Sequence, residues 1–447
     1  MIRQAGSTAL YPVHYWIAAG ASAVALAVCL LVFPLPYVIG VIVALAFAVA
    51  ILANPFFGAM TFIAFYYIRP TDYIPELGML RLPLFIATMT ATGLFIRLLL
   101  ARERLIEGWF VKWFLAFWMV MWLSVPLATW RSNSLAHAQD FAKFVAMVWI
   151  VYMSIRSEQQ LITAVRLMAW MALWLAGATI HGYMTGQTVT SGDLQRAGAG
   201  SGMLGDPNDT ASVLLMLFPL CYYLFFHDPK KWLRVVYASA MALSLVAVVL
   251  TGSRGGFLGL VFLLFLLWCR SQRKVLGLFI AVFVFATLWF AAPASYRERI
   301  TGITRYHEDE SAMARVYLRQ AALNMFKHNP LVGVGIGNFD DFQSRYGGTI
   351  GSRTAHNMYL LVLGELGALG LFVFLNIWLR SLRAAKQLSQ EGWWLSRALG
   401  AGALVGLLDI MLTGYFLSIS YYPYQYFLMA CVAVAASRHA RREREPA

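Results

Sequence analysis

Three short stretches of the chain carry side chains able to grip a phosphate or move a proton. The first is QRAGAGSGMLGDPNDT, Gln195 to Thr210. Its glycines let backbone N–H groups approach an anion, while the Arg196 guanidinium supplies charge. Asp206 suits a helix N-cap and Pro207 the first helical position, so a helix is predicted to start there, with Asn208 next in line. The plainer reading is a flexible loop with an ordinary cap. The second stretch, TGSRGG from Thr251 to Gly256, is a tight turn that puts Arg254 at the head of an apolar run. An arginine there is costly unless it snorkels or pairs, and a bound phosphate is one way to pair it. The third, RTAHNMYLLVLGELGALG from Arg353 to Gly370, is predicted to enter a helix with Thr354 as N-cap and His356, beside Asn357, in the first turn. There the helix dipole opposes protonation and favours the neutral imidazole that a general base requires. Taken alone, a histidine at a helix start is an ordinary interfacial residue.

Other groups carry less. Glu365 lies nine residues beyond His356, about 180° round a helix and ~13 Å along it, so the two cannot share a site directly. Glu365 and Asp409 read as buried carboxylates that pair within a helical bundle, with a proton relay as the alternative. Arg315 and Arg319 stand one turn apart on a helix predicted over Ser311 to Lys327 and stopped by Asn329-Pro330. They suit a solvated or headgroup-facing surface better than a phosphate contact. Gly333, Gly335 and Gly337 lack the spacing and context of a dinucleotide fingerprint and read as a shaped turn. No DxD-like or His-rich cluster points to a metal. Asp340-Asp341 and the HEDE at 307 to 310 leave a weak divalent-ion alternative, and neither metal nor cofactor is expected. Cys29, Cys221, Cys269 and Cys431 show no paired spacing and read as small core residues.

The elements that must position these groups are helices in a membrane. The chain has 447 residues, 60% of them hydrophobic and only 13% charged, with a mean hydropathy of +0.66, far from a soluble composition. Its net charge of +14 is scattered between apolar runs, which suits membrane topology and argues against a nucleic-acid binder. Apolar runs near 14–33, 37–53, 56–68, 83–100, 110–129, 141–154 and 161–184 approach or reach the length of a span. Others follow near 209–227, 232–252, 255–270, 274–292, 356–379, 395–417 and 420–437. The expected fold is all-α, with about 12–14 transmembrane helices; the short third and sixth runs leave room for tilted or re-entrant segments. The run from His14 to Phe33 is read as a retained first span.

Lys and Arg gather on alternate connections, including Arg97, Arg156, Arg166, Lys230, Lys231, Arg273 and the Arg438–Arg444 tail, which marks that side as cytoplasmic. Both termini then point inward. The opposite short loops hold only Arg69, Arg81, Arg131, Arg196 and Arg254, with Lys143 just inside a span. On this topology Asp206, Arg254 and His356 all stand where helices start from the periplasmic side. If those helix ends converge, two arginines and a neutral histidine make an anion site with a base beside it, and a diphosphate is the natural ligand. The chain divides into N-terminal helices (1–184), helices with arginine-bearing loops (185–292), a periplasmic loop domain (293–355) and C-terminal helices with a basic tail (356–447).

Four blocks in order resemble the O-antigen ligase and polymerase superfamily of bacterial membrane glycosyltransferases. They are Arg196 to Asn208, Ser253-Arg254-Gly255, Asn329-Pro330-Leu331 running into Gly335 and Asn338-Phe339, and His356-Asn357 followed by Glu365-x-Gly367. FYYIRP near Arg69 resembles a branch linked to exopolysaccharide and O-glycosylation ligases. The resemblance implies an inner-membrane protein of the C-type glycosyltransferase class, with an undecaprenyl-diphosphate glycan as donor and the core sugar of lipid A as acceptor. It also implies that Arg196 and Arg254 bind the diphosphate and that His356 is catalytic. A polymerase or a protein O-oligosaccharyltransferase of the same superfamily is the near rival. A lipid-linked-oligosaccharide flippase is the rival from another class; it should show related halves and broken mid-membrane helices, and the sequence shows no internal repeat.

Overall fold

The computed structural model describes residues 34–100, 108–191, 194–200, 202–301, 310–349 and 351–442. The first expected span, Cys29 and most of the HEDE run lie outside them. Apolar runs bounded by caps and prolines fold into helices throughout. The N-terminal set is α1 (Leu35–Ala53), α2 (Pro55–Ile68), α3 (Leu82–Leu100), α4 (Trp109–Ser124), α5 (Arg131–Ser154) and α6 (Glu158–Met184). A two-stranded antiparallel ladder, β1 (Val189–Ser191) and β2 (Leu194–Arg196), precedes α7 (Pro207–His227), α8 (Leu233–Leu250), α9 (Arg254–Arg270) and α10 (Lys274–Ala291). The long connection then folds as α11 (Ala294–Thr301), α12 (Glu310–His328) and the short α13 (Phe339–Phe342), and the chain closes with α14 (Met358–Leu388), α15 (Trp394–Thr413) and α16 (Pro423–Arg442).

The protein is an all-α polytopic membrane protein. Eight helices among the described residues are long and apolar enough to cross a membrane, or up to nine if one bent pair counts as a span. The count compares with fourteen apolar runs in the sequence, of which the first lies outside the described residues; for the others that fall short the reasons are local. Helix α9 has 17 residues, α5 carries Arg131, Asp140 and Lys143 between its start and its middle, and α16 ends in a basic tail. The short third run lies beyond a 118° bend at the α1–α2 junction. There Pro55 opens α2 and the Asn54 side chain accepts from the Phe57 N–H.

The centre of the bundle is the α7–α15 pair. Gly402 and Gly406 bring α15 against the α7 backbone. A Cβ at Gly402 would lie 2.7 Å from the Leu220 Cα, and one at Gly406 would overlap the Met216 carbonyl. Small residues four apart allow this approach, and in lipid such close packing is what holds helices together. Across from it, α10 has no buried residue and faces lipid. Cys221 and Cys431 are buried as expected, whereas Cys269 is exposed at the end of α9.

Helix α14 is broken at Gly367, whose φ of 63° and ψ of −163° no helix accommodates. The break exposes backbone groups at membrane depth, where each needs a partner. The 330–335 segment provides them: Ala368 N–H donates to Pro330 O at 2.8 Å and Leu369 N–H to Leu331 O at 3.2 Å, while Val334 and Gly335 N–H donate to the Gly364 and Glu365 carbonyls at 3.0 and 2.9 Å. Gly333, Gly335 and Gly337 all have positive φ, so the shaped turn is a plug for the broken helix. Glu365 is held inside it, accepting from Phe339 N–H at 3.1 Å and from the Tyr421 hydroxyl at 2.8 Å. Its expected structural pairing is therefore present. Asp409 corrects the other half of that expectation: it is fully buried on α15 and neither carboxylate oxygen has a partner among the described residues.

Candidate anion site at three helix starts

Helices α7 and α9 begin close together and their caps meet at Asn208, while the approach to α14 comes within electrostatic reach of them at His356. Asp206 caps α7, accepting from Asn208 N–H at 2.7 Å and from the Asn208 side-chain amide at 2.9 Å. Ser253 caps α9, accepting from Gly256 N–H at 3.0 Å, and its hydroxyl donates to Asn208 Oδ1 at 2.8 Å. Arg196 is pinned on the β ladder opposite Val189. Its Nη2 donates to the same Asn208 Oδ1 at 2.8 Å, and its Nε donates to Thr251 O at 3.0 Å. Asn208 is thus the hub between the two loops. The ladder, which an all-α reading did not anticipate, is what fixes the Arg196 backbone.

Asn208, Arg254, Arg299 and Arg315 line one small cleft closed by Gly255, Phe416 and Leu417. Arg254 is oriented by donating its Nε–H to Arg299 O at 3.2 Å. Burial, then the charge of Arg299, pulls Arg196 down to about 10; Arg315 and Arg254 act in the same sense and Asp206 opposes them. Guanidinium groups crowded this closely are relieved by an anion, so the cleft is charged for a phosphate before any arrives. Arg319 does not join them. One turn along α12 it stacks over Tyr415, 4.5 Å from the ring centroid, so the Arg315–Arg319 pair is split between cleft and packing. The expectation of a solvated face fails for Arg315 because α12 packs on α14 and the turn after α15.

His356 stands just before α14, not in its first turn. Asn357 is the N-cap, its Oδ1 accepting from Tyr359 and Leu360 N–H, both at 3.0 Å. Thr354, the expected cap, is engaged instead with the Asp340 carboxylate, which burial pushes up. His356 therefore sits in the left-handed region, with φ 47°. Burial, then Arg315, holds its pKa down to about 4; Arg353 adds to the depression and Asp206 opposes it. The imidazole is neutral at ordinary pH, as the sequence suggested, but burial and arginines rather than its place within the helix are the cause. Met358 N–H donates to Gly414 O at 2.8 Å and ties this corner to the turn that closes the cleft.

The structure thus gathers Arg196, Asp206, Asn208, Arg254 and Arg315, with His356 in electrostatic reach. Arg69 and Arg81 go elsewhere, to a cavity among α2, α3 and α5. Arg299 was missed, although YRER follows directly on a span in the stretch assigned to the periplasm. Asp209, which accepts from the Tyr422 hydroxyl at 2.9 Å one residue after the hub, was missed as well.

Residues 239–375 match the family model described as O-antigen ligase, in support of the O-antigen ligase and polymerase superfamily. The matched stretch contains Arg254, Arg299, Arg315, His356 and the α14 break, and leaves out Arg196 and its glycine-rich loop. No curated protein matches the chain.

Proposed function

We propose that this chain, a membrane glycosyltransferase-like member of the O-antigen ligase and polymerase superfamily, is a ligase. It transfers a glycan en bloc from undecaprenyl diphosphate to a sugar hydroxyl of the lipid A core, at the periplasmic face of the inner membrane. The observation that carries this reading is the convergence of Arg254, Arg299 and Arg315 on Asn208, with a neutral histidine beside Arg315. The diphosphate lies in the cleft and the anomeric carbon above it. His356 accepts the proton of the acceptor hydroxyl as its oxygen bonds to that carbon. The bond from the carbon to the diphosphate oxygen breaks, and its electron pair leaves with the diphosphate into the guanidinium groups. Attack from the face opposite the leaving group inverts the anomeric centre. Guanidinium groups balance the charge, so the reaction needs no metal in this scheme.

The test is reconstitution with a defined undecaprenyl-diphosphate glycan and purified lipid A core, in the presence of EDTA. A higher-mass lipid A conjugate is expected. Growth of the donor glycan without any conjugate makes the protein a polymerase, and activity restored only by magnesium or manganese brings acidic loop residues into the site.

A further inference from the structure

A cavity beside the glycine-rich turn belongs to none of this machinery. It has a volume of about 1090 Å³ and lies between α2, α3 and α5. Its walls run along α5 from Asp140 to Ile150, ~15 Å of helix, and are apolar nearly throughout. Its rim is not: Arg69, Arg81 and Lys143 stand there, Arg69 paired with Asp72 at 3.2 Å and Lys143 with Asp140, so the basic groups outnumber the carboxylates by one. Lys143 and Asp140 pair at 2.5 Å, but their side chains are 72% and 66% exposed, so a phosphate can replace that contact at little cost. Arg69 and Arg81 both hold left-handed backbone, φ 49° and 44°, and share that conformation among the described non-glycine residues only with His356. Each of the two arginines is the left-handed cap that ends a helical segment, which places both side chains at the mouth of the cavity. The cavity also adjoins the cleft. Met203 lines it and accepts from the Tyr66 hydroxyl at 3.3 Å, and three residues later Asp206 caps α7 at the anion site.

We propose that this cavity seats the lipid anchor of the acceptor, a phosphate-bearing lipid distinct from the donor. The proposal rests on the transfer reading above. An apolar trough with a basic rim takes a molecule with a hydrocarbon end and an anionic head. The hydrocarbon tail of the donor does not need that rim, because its diphosphate is met by the separate arginines of the cleft. Transfer between two lipid-anchored partners brings two amphiphiles to one membrane face, and the 202–206 turn stands between two cationic groups, one of which would meet the acceptor's anionic head.

The test uses the full chain in phosphatidylcholine nanodiscs, with bisphosphorylated lipid A and undecaprenyl diphosphate titrated separately. Ala87→Trp fills the trough and Arg81→Glu reverses one charge of the rim. Each is expected to weaken lipid A binding about tenfold or more and to leave undecaprenyl diphosphate binding within about twofold. Loss of undecaprenyl diphosphate binding instead assigns the cavity to the donor tail and overturns the proposal. So does unchanged lipid A binding, or phosphatidylglycerol binding the wild type as tightly as lipid A. Where Ala87→Trp loses its melting transition, Arg81→Glu, at an exposed position, decides alone. If lipid A binds as expected but no conjugate forms with donor present, the transfer reading fails while the lipid site stands.

Discussion

The arginine cleft and the N-terminal cavity flank one glycine-rich turn and are built in opposite ways. The cleft is made of helix N-termini whose caps, Asp206 and Ser253, meet at Asn208. It is small and packed with like charges. The cavity is made of apolar helix faces, with Arg69 in the left-handed residue that ends α2. It is large, and its charges stay at the rim. Charge concentrated in a small space selects a compact anion, and charge at the edge of apolar space selects an amphiphile. On the proposed reading the two sites divide recognition by chemistry: the cleft takes the group that leaves, and the cavity takes the body that stays in the membrane.

The sharpest break in that comparison is a change that stops chemistry in the cleft and touches nothing else. His356→Gly removes the proposed base but suits the left-handed backbone, where glycine carries no Cβ penalty. Turnover is expected to fall about 100- to 10,000-fold. Stability should stay within about 1 kcal/mol, because relief of strain offsets the greater entropy of an unfolded glycine. Both lipids should still bind. Steady-state transfer and a thermal melt measured side by side check this; a variant that turns over normally leaves His356 as an interfacial residue.

Arg254→Lys comes next. Lysine keeps the charge but loses the planar fork and the Nε–H that Arg254 donates to Arg299 O at 3.2 Å. A loss of about 10- to 100-fold in kcat/KM is expected, the range for a charged hydrogen bond of ~1.5–3 kcal/mol. Lipid A binding should not change. Near-full activity would show that Arg254 acts as a point charge, and a parallel loss of lipid A binding would merge the two sites.

How much of this was legible in the sequence follows from how local each signal is. Asp206-Pro207 and Ser253 were readable as helix starts because a cap is decided within four residues. Most span boundaries after residue 200 fell within a few residues of the apolar runs for the same reason. Thr354 and Asn357 are both good caps, and the choice between them is made by Asp340, fourteen residues upstream of Thr354, which no local rule weighs. Arg315 was read as solvated because its partners come from α9, α11 and the turn after α15. Asp409 was expected to find a partner, and nothing in the spacing of its neighbours could show that it has none among the described residues. Gly367 and the 330–335 plug are each weak as motifs; their meaning lies in the hydrogen bonds between them, across more than thirty residues of chain.

The smallest expected effect is a shift along the pH axis, and it tests whether cleft and base are one electrostatic unit. His356 is held down to about 4, first by burial and then by Arg315. A base with a lowered pKa is neutral above that value and lost below it, so the acid limb of kcat/KM should fall near pH 4 and not near the ordinary histidine value of about 6.5. Arg315→Gln removes a positive neighbour, which must raise the pKa and move the limb upward by about half a unit. Asp206→Asn removes the opposing negative charge and must move it downward. Arg315→Gln should also weaken the donor site by losing a guanidinium, whereas asparagine at 206 still caps α7; a weaker donor site changes the height of the profile and not the position of its limb. Variants in the cavity rim such as Arg81→Glu should leave the limb where it is, since Arg81 is absent from the charges that act on His356. Limbs that move in opposite directions for Arg315→Gln and Asp206→Asn tie the base to the arginine cleft. A limb that stays fixed in both, or that follows the cavity rim instead, separates His356 from the cleft and removes the base from the proposed site.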